Sequence, residues 1–170
     1  MLSMLRHLLL GTLVVAASAC TRTPESPVVA PATAVSTPVV SANAALPVVQ
    51  VWKSATCGCC SMWVEHLRTE GFTVEVTDTP DLAAVKQRLG VPQGLGSCHT
   101  ARVGDYVVEG HVPARDIKRL LASRPTGVAG LAVPGMPTGS PGMEVPGRLA
   151  DPYTVVAFGP DGEAVFAQYR

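Results

Sequence analysis

Cys57-Gly58-Cys59-Cys60 places three thiols within four residues. A strand-like run, Val48 to Lys53, precedes them, and a helical pattern, Ser61 to Leu67, follows. C-x-x-C between a strand and a helix is the thioredoxin-type redox position. Cys57 stands where free amide N–H groups and the helix dipole favour a thiolate. That serves disulfide exchange, and it also serves metal binding, because thiolate is the form that binds. Cys59 separates the two uses. An extra thiol does not help a two-thiol exchange cycle and can divert it. Three thiolates within one turn can surround or bridge a soft ion, with Cu(I) preferred and Zn(II) the borderline competitor. A structural zinc site would show two separated ligand pairs, for which only Cys98-His99 offers a second half.

The elements that must position these groups read as β-α-β-α-β-β-α, the order of a thioredoxin-like α/β fold. The spacing predicts strands at 48–53 and 72–77 and a first helix starting near Cys59 or Cys60 and ending before Gly71. A second helix opens at Thr79-Pro80-Asp81, with Pro80 in its first turn, and carries Leu82, Val85 and Leu89 on its apolar stripe. Strands 100–103 and 106–109 form a hairpin about Gly104-Asp105, and a third helix spans 114–122. Residues 125–153 are rich in Pro and Gly and predict a long irregular loop, followed by a hairpin at 153–158 and 164–167 that extends the sheet or covers its edge.

This topology has a geometric consequence. The first strand ends at the Cys cluster, the third starts at the same sheet edge, and the fourth returns there. Residues 57–60, Ser97 to Thr100, and Gly110-His111 should converge. Cys98 and His99 also fall where thioredoxin-type proteins usually place a cis-proline, which has no donor to offer a metal. Candidate metal ligands are therefore Cys57, Cys59, Cys60, Cys98, His99 and His111, with Met136 and Met143 of the loop as thioether donors or a lid. Other roles stay open: inert burial for Cys98, a backbone hydrogen bond for His99, capping of the following helix for His111. His66 reads as a surface residue, Met62 as a buried helix residue, and Trp52 and Trp63 as packing around the site.

The ends bound where this chemistry takes place. Residues 1–19 combine Arg6 and His7 with an apolar stretch of signal-peptide length, followed by Ala17-Ser18-Ala19-Cys20. The last four resemble a lipobox with Ala17 in place of the usual Leu, so lipidation of Cys20 and ordinary cleavage both remain open. Either implies a compartment that permits disulfides. Residues 20–46, mostly Thr, Pro, Ser, Val and Ala, read as a disordered tether, roughly 80 Å long at about 3 Å per residue if extended. The folded domain is then 47–170. Thirteen basic and thirteen acidic residues balance, without a basic stripe, which argues against nucleic acid as a partner.

Trp52-Lys53-Ser54, Cys57 to Cys60, Trp63, Cys98-His99-Thr100, Glu109 to Pro113, and Pro134-Gly135-Met136-Pro137 through Ser140-Pro141-Gly142-Met143-Glu144 together resemble the CopG-type family of bacterial copper-associated proteins. The resemblance covers nearly all of residues 48–168. It implies a thioredoxin-like fold, a periplasmic or envelope location, copper at the C-x-C-C cluster, and a role in copper tolerance; a lipidated Cys20 would make the chain an outer-membrane lipoprotein. It carries Cys57, Cys59, Cys60, Cys98 and His99 over as ligands. The expected function is binding, sequestering or redox-cycling Cu(I) and Cu(II), with other envelope copper-handling proteins as partners. The alternative is a thiol–disulfide oxidoreductase using Cys57 and Cys60.

Overall fold

A computed structural model describes residues 45–170. The expected signal peptide at 1–19, Cys20 and nearly all of the expected tether lie outside the described residues. Among those described, no helix is long and apolar enough to cross a membrane.

One seven-stranded sheet runs through the domain in the order β2-β1-β3-β4-β5-β6-β7. The strands are β1 (Val49–Lys53), β2 (Val74–Asp78), β3 (His99–Val103), β4 (Tyr106–Glu109), β5 (Gly130–Ala132), β6 (Tyr153–Gly159) and β7 (Gly162–Tyr169). The helices are α1 (Gly58–Thr69), α2 (Leu82–Leu89) and α3 (Ala114–Ser123), with a short 3-10 turn at Gln93–Leu95. β1 and β2 are parallel, β3 is antiparallel to β1, and β4 is antiparallel to β3. With its connecting helices this half has the thioredoxin-like arrangement. The C-terminal hairpin extends the sheet rather than capping it.

The side-chain alternation of strands sorts the core into two faces. In β4, Val108 joins a cluster with Trp63 and Leu67 of α1 and Ile117 and Leu120 of α3. Its neighbour Val107 points the other way, with Ala132, Phe158 and Leu95, and with Leu89 of α2 packed alongside. β5 repeats the pattern, Leu131 on the first face and Ala132 on the second.

Four expectations need correction. The segment 125–153 is not wholly irregular: Gly130–Ala132 pairs parallel to β4 and antiparallel to β6 and joins the hairpin to the sheet. Three residues are too few to show a period, and Gly130 lets β5 approach where a Cβ would lie 2.2 Å from the Val107 carbonyl oxygen. Helix α1 starts at Gly58, because Cys57 already serves as its N-cap. Pro80 precedes α2 instead of entering its first turn; Asp81 is the cap, accepting the Ala84 N–H at 3.0 Å. Met62 is 52% exposed, on the outer side of α1, not buried.

The site depends on register. Lys53 at the end of β1 lies opposite His99 at the start of β3, and Thr100 lies opposite Glu109 at the end of β4. The three segments that carry donors therefore meet at one sheet edge.

Candidate metal centre

Cys57 and Cys60 are joined by a disulfide, while Cys59 and Cys98 carry free thiols. Cys57 caps α1 through its sulfur, 3.3 Å from the Cys60 amide. Cys59 Sγ lies 3.5 Å from Cys57 Sγ and 4.0 Å from Cys98 Sγ. The Sγ atoms of Cys57, Cys59, Cys60 and Cys98 all lie within 4.8 Å of one another, and Cys98, His99 and His111 form a second group meeting the same limit. Six of the eight candidate residues thus belong to two donor groups that share Cys98.

His111 is held for a purpose its sequence position does not show. Its Nδ1 lies 2.8 Å from the carbonyl oxygen of Pro141, which can only accept, so Nδ1 carries the proton. Nε2 is left with its lone pair, 3.0 Å from Cys98 Sγ. His111 does not cap α3. That role falls to His66, whose Nε2 accepts the Ala114 N–H at 3.1 Å, which corrects its reading as a plain surface residue. His99 is fully buried, with Nδ1 3.3 Å from Cys98 Sγ and its ring 4.3 Å from that of Trp63. Its Nε2 is the buried side-chain polar atom without a partner among the described residues, a condition that costs about 1–3 kcal/mol.

Burial sets the protonation states. It pushes the Cys98 thiol up to about 12, reinforced by the neighbouring Cys59. It also lowers His99 well below the ordinary histidine value, helped by His111 and Lys86, and lowers His111. At neutral pH the imidazoles are uncharged and free to donate lone pairs, whereas Cys98 must surrender a proton when it binds a metal.

A buried polar network holds the 97–100 segment. The Glu109 carboxylate, fully buried, accepts from Ser97 N–H at 2.6 Å, from Thr100 Oγ1 at 2.7 Å and from Lys86 Nζ at 2.5 Å. Glu109 stood in the sequence only as part of a motif. Its place at the end of an otherwise apolar strand, four residues long, was the available signal. Gly110 completes the joint at φ +69°, where a Cβ would lie 2.5 Å from Ser97 Oγ.

The loop after β5 closes on the same edge. Gly142, at φ +84°, sits where a Cβ would be 2.6 Å from Trp63 N and 2.8 Å from the Cys59 carbonyl oxygen. Met143 follows it and is half-buried, while Met136 is 55% exposed. Trp63 is buried and donates Nε1–H to the Val112 carbonyl oxygen at 2.9 Å. Trp52 is half-buried, with the Arg88 guanidinium 5.8 Å from its ring. A cleft of about 330 Å³ lined by His66, Arg115, Pro141, Tyr153 and Tyr169 contains none of the cysteines.

A thioredoxin-like domain with four sulfurs and two uncharged imidazoles at the end of its first strand belongs to the class of thiol-based metal or redox proteins. The comparisons narrow that class. A family profile described as a protein of unknown function, DUF411, matches residues 95–143. A solved chain described as copper resistance protein CopG, form 2, is 46% identical with a TM-score of 0.69, covering 74% of this chain and 99% of that one. The form 1 structure is also 46% identical, with a TM-score of 0.68, covering 73% and 98%. No curated protein matches. The chain belongs to the CopG family of copper resistance proteins.

Proposed function

We propose that this protein binds copper in the bacterial envelope and contributes to copper tolerance by sequestering Cu(I) or cycling it with Cu(II). One observation carries the reading: four sulfur atoms of Cys57, Cys59, Cys60 and Cys98 stand within 4.8 Å of one another, a donor set that suits a soft monovalent ion. The buried, uncharged ring of His99 supports it, since its Nδ1 stands 3.3 Å from Cys98 Sγ. Cys57 and Cys60 would supply thiolates only after their disulfide is reduced. The chain's own contribution is to hold His111 in the tautomer that presents Nε2 and to bring Cys98 against Cys59. Half-buried Met143, next to Gly142 where the loop seats on α1, would add a thioether donor. Met136 would have to move inward to do the same. The envelope location rests on residues 1–20, with Cys20 as a lipid anchor, and other envelope copper-handling proteins would exchange the metal.

A second reading, thiol–disulfide exchange by Cys57 and Cys60, is favoured by the disulfide between those two residues. One substitution separates the readings. Cys59→Ser should lower bound Cu(I) per reduced chain, counted after anaerobic loading and desalting. If Cys59→Ser leaves copper unchanged and disulfide turnover depends only on Cys57 and Cys60, exchange is the function.

A further inference from the structure

The Cys57–Cys60 disulfide divides the donor set. Two sulfurs bonded to each other are no longer thiolates, and a soft polythiolate site ceases to exist in that state. The remaining donors do not disperse. Cys59 and Cys98 keep free thiols, and both imidazoles remain beside Cys98. Two sulfurs and two imidazoles make a borderline donor set, the kind that Zn(II) takes in tetrahedral sites.

The spacing fits that ion. Zinc–sulfur bonds of about 2.3 Å and zinc–nitrogen bonds of about 2.0–2.1 Å set tetrahedral edges of roughly 3.8 Å between sulfurs and 3.6 Å between sulfur and nitrogen. The distances here are 4.0 Å from Cys59 Sγ to Cys98 Sγ, 3.0 Å from Cys98 Sγ to His111 Nε2, and 3.3 Å from Cys98 Sγ to His99 Nδ1. These three edges, all ending on Cys98 Sγ, are within about 0.6 Å of ideal, a change that side-chain rotation supplies; Cys59 stands outside the 4.8 Å group of Cys98, His99 and His111 and would have to turn toward the imidazoles to close the tetrahedron. The Pro141 carbonyl already fixes the His111 tautomer, and such orientation of a ligating histidine by an outer partner is usual in metal sites.

We infer that the disulfide form is a metal site of different preference: Cys98, His99 and His111, with Cys59 as fourth donor, hold one Zn(II)-class ion in place of Cu(I). The inference rests on the soft-metal reading of the reduced cluster. Oxidation switches the site between the two states. An external low-molecular-weight disulfide takes two electrons and two protons from Cys57 and Cys60: one sulfur–sulfur bond forms in the protein, one breaks in the oxidant, and two small thiols leave. Sulfur donors fall from four to two, and preference moves from the soft ion to the borderline one.

The test uses the full chain, oxidised with glutathione disulfide, freed of small thiols, and titrated anaerobically with Co(II) as the visible stand-in for zinc. Alkylation should count two free thiols besides Cys20. One equivalent of Co(II) should give tetrahedral ligand-field bands with sulfur charge transfer, and Zn(II) should displace it. Cys98→Ser or His111→Gln should weaken binding at least tenfold. The Cys57→Ser/Cys60→Ser variant keeps all four proposed donors and should bind Co(II) without any oxidation. Absence of Co(II) binding by both disulfide-form protein and that variant overturns the inference, as does binding indifferent to Cys98→Ser, or oxidation that joins Cys59 to Cys98. Cu(I) loading of the reduced wild-type chain is measured in parallel. Its failure sinks the copper reading, whereas intact Cu(I) loading with no Co(II) binding sinks this inference alone.

Discussion

Removing the Glu109 carboxylate should cost the domain a large share of its stability and unseat Cys98. Glu109 is fully buried and takes hydrogen bonds from Ser97 N–H, Thr100 Oγ1 and Lys86. Glu109→Ala leaves an ammonium without its partner in a mostly buried position and strands a backbone donor and a hydroxyl. Breaking one side of a buried ion pair costs about 3–5 kcal/mol. For a domain of this size about 1 kcal/mol moves the melting temperature by roughly 3–5 °C, so the midpoint should fall by about 10–20 °C. The charge arithmetic has its own control. Glu109→Leu/Lys86→Met removes both charges and leaves only the Ser97 and Thr100 donors unpaired, so it should recover at least about 1–2 kcal/mol relative to Glu109→Ala. Urea unfolding followed by far-UV circular dichroism gives both numbers, and alkylation of Cys98 below the unfolding range reports whether the 97–100 segment has loosened. A loss under about 1 kcal/mol for Glu109→Ala, or a double variant worse than the single, would refute the view that this network holds the segment.

Three further outcomes follow from particular contacts. Gly142→Ala combines a left-handed backbone with a Cβ 2.6 Å from Trp63 N, whereas Gly147→Ala at φ +78° meets nothing within 4 Å. The second should cost about 1 kcal/mol and the first clearly more, and equal melting temperatures would show that the loop does not seat on α1. Burial lowers the pKa of His99, His111 and His66 from the unfolded value near 6.5, so the unfolded chain takes up protons that the folded chain refuses. Stability of the metal-free protein should be full above pH 6.5 and fall as pH drops below it; denaturant midpoints flat from pH 7 to 5 would contradict this. Trp63→Phe removes the donor to Val112 and shrinks the ring packed on His99, and should destabilise by about 1–3 kcal/mol, measured by thermal unfolding.

Much of this was legible in the sequence, because the signals were local. Alternation gave β2, the Gly104-Asp105 turn gave the β3–β4 hairpin, and C-x-x-C ahead of a helix gave α1 and its thiol end. The convergence of Cys57–Cys60, Cys98-His99 and His111 then followed from strand direction alone, and register delivers it through the Lys53–His99 and Thr100–Glu109 pairs. What was hidden depended on contacts between distant residues. His66 takes the capping role that the position of His111 also offered, because the cap of α3 comes from α1 while His111 turns to a loop thirty residues away. β5 is too short to carry a period, and Glu109 looked like any strand-end polar residue until its three donors were seen. Whether Met62 faced inward could not be read from a helix with apolar residues on several sides.

The most direct test of copper binding at the sulfur cluster is X-ray absorption of the full chain, reduced and loaded with Cu(I) without air. The account predicts an edge of monovalent copper and a first shell dominated by sulfur, which loses sulfur in Cys59→Ser. A first shell of nitrogen and oxygen alone, or no copper retained after desalting, would contradict it.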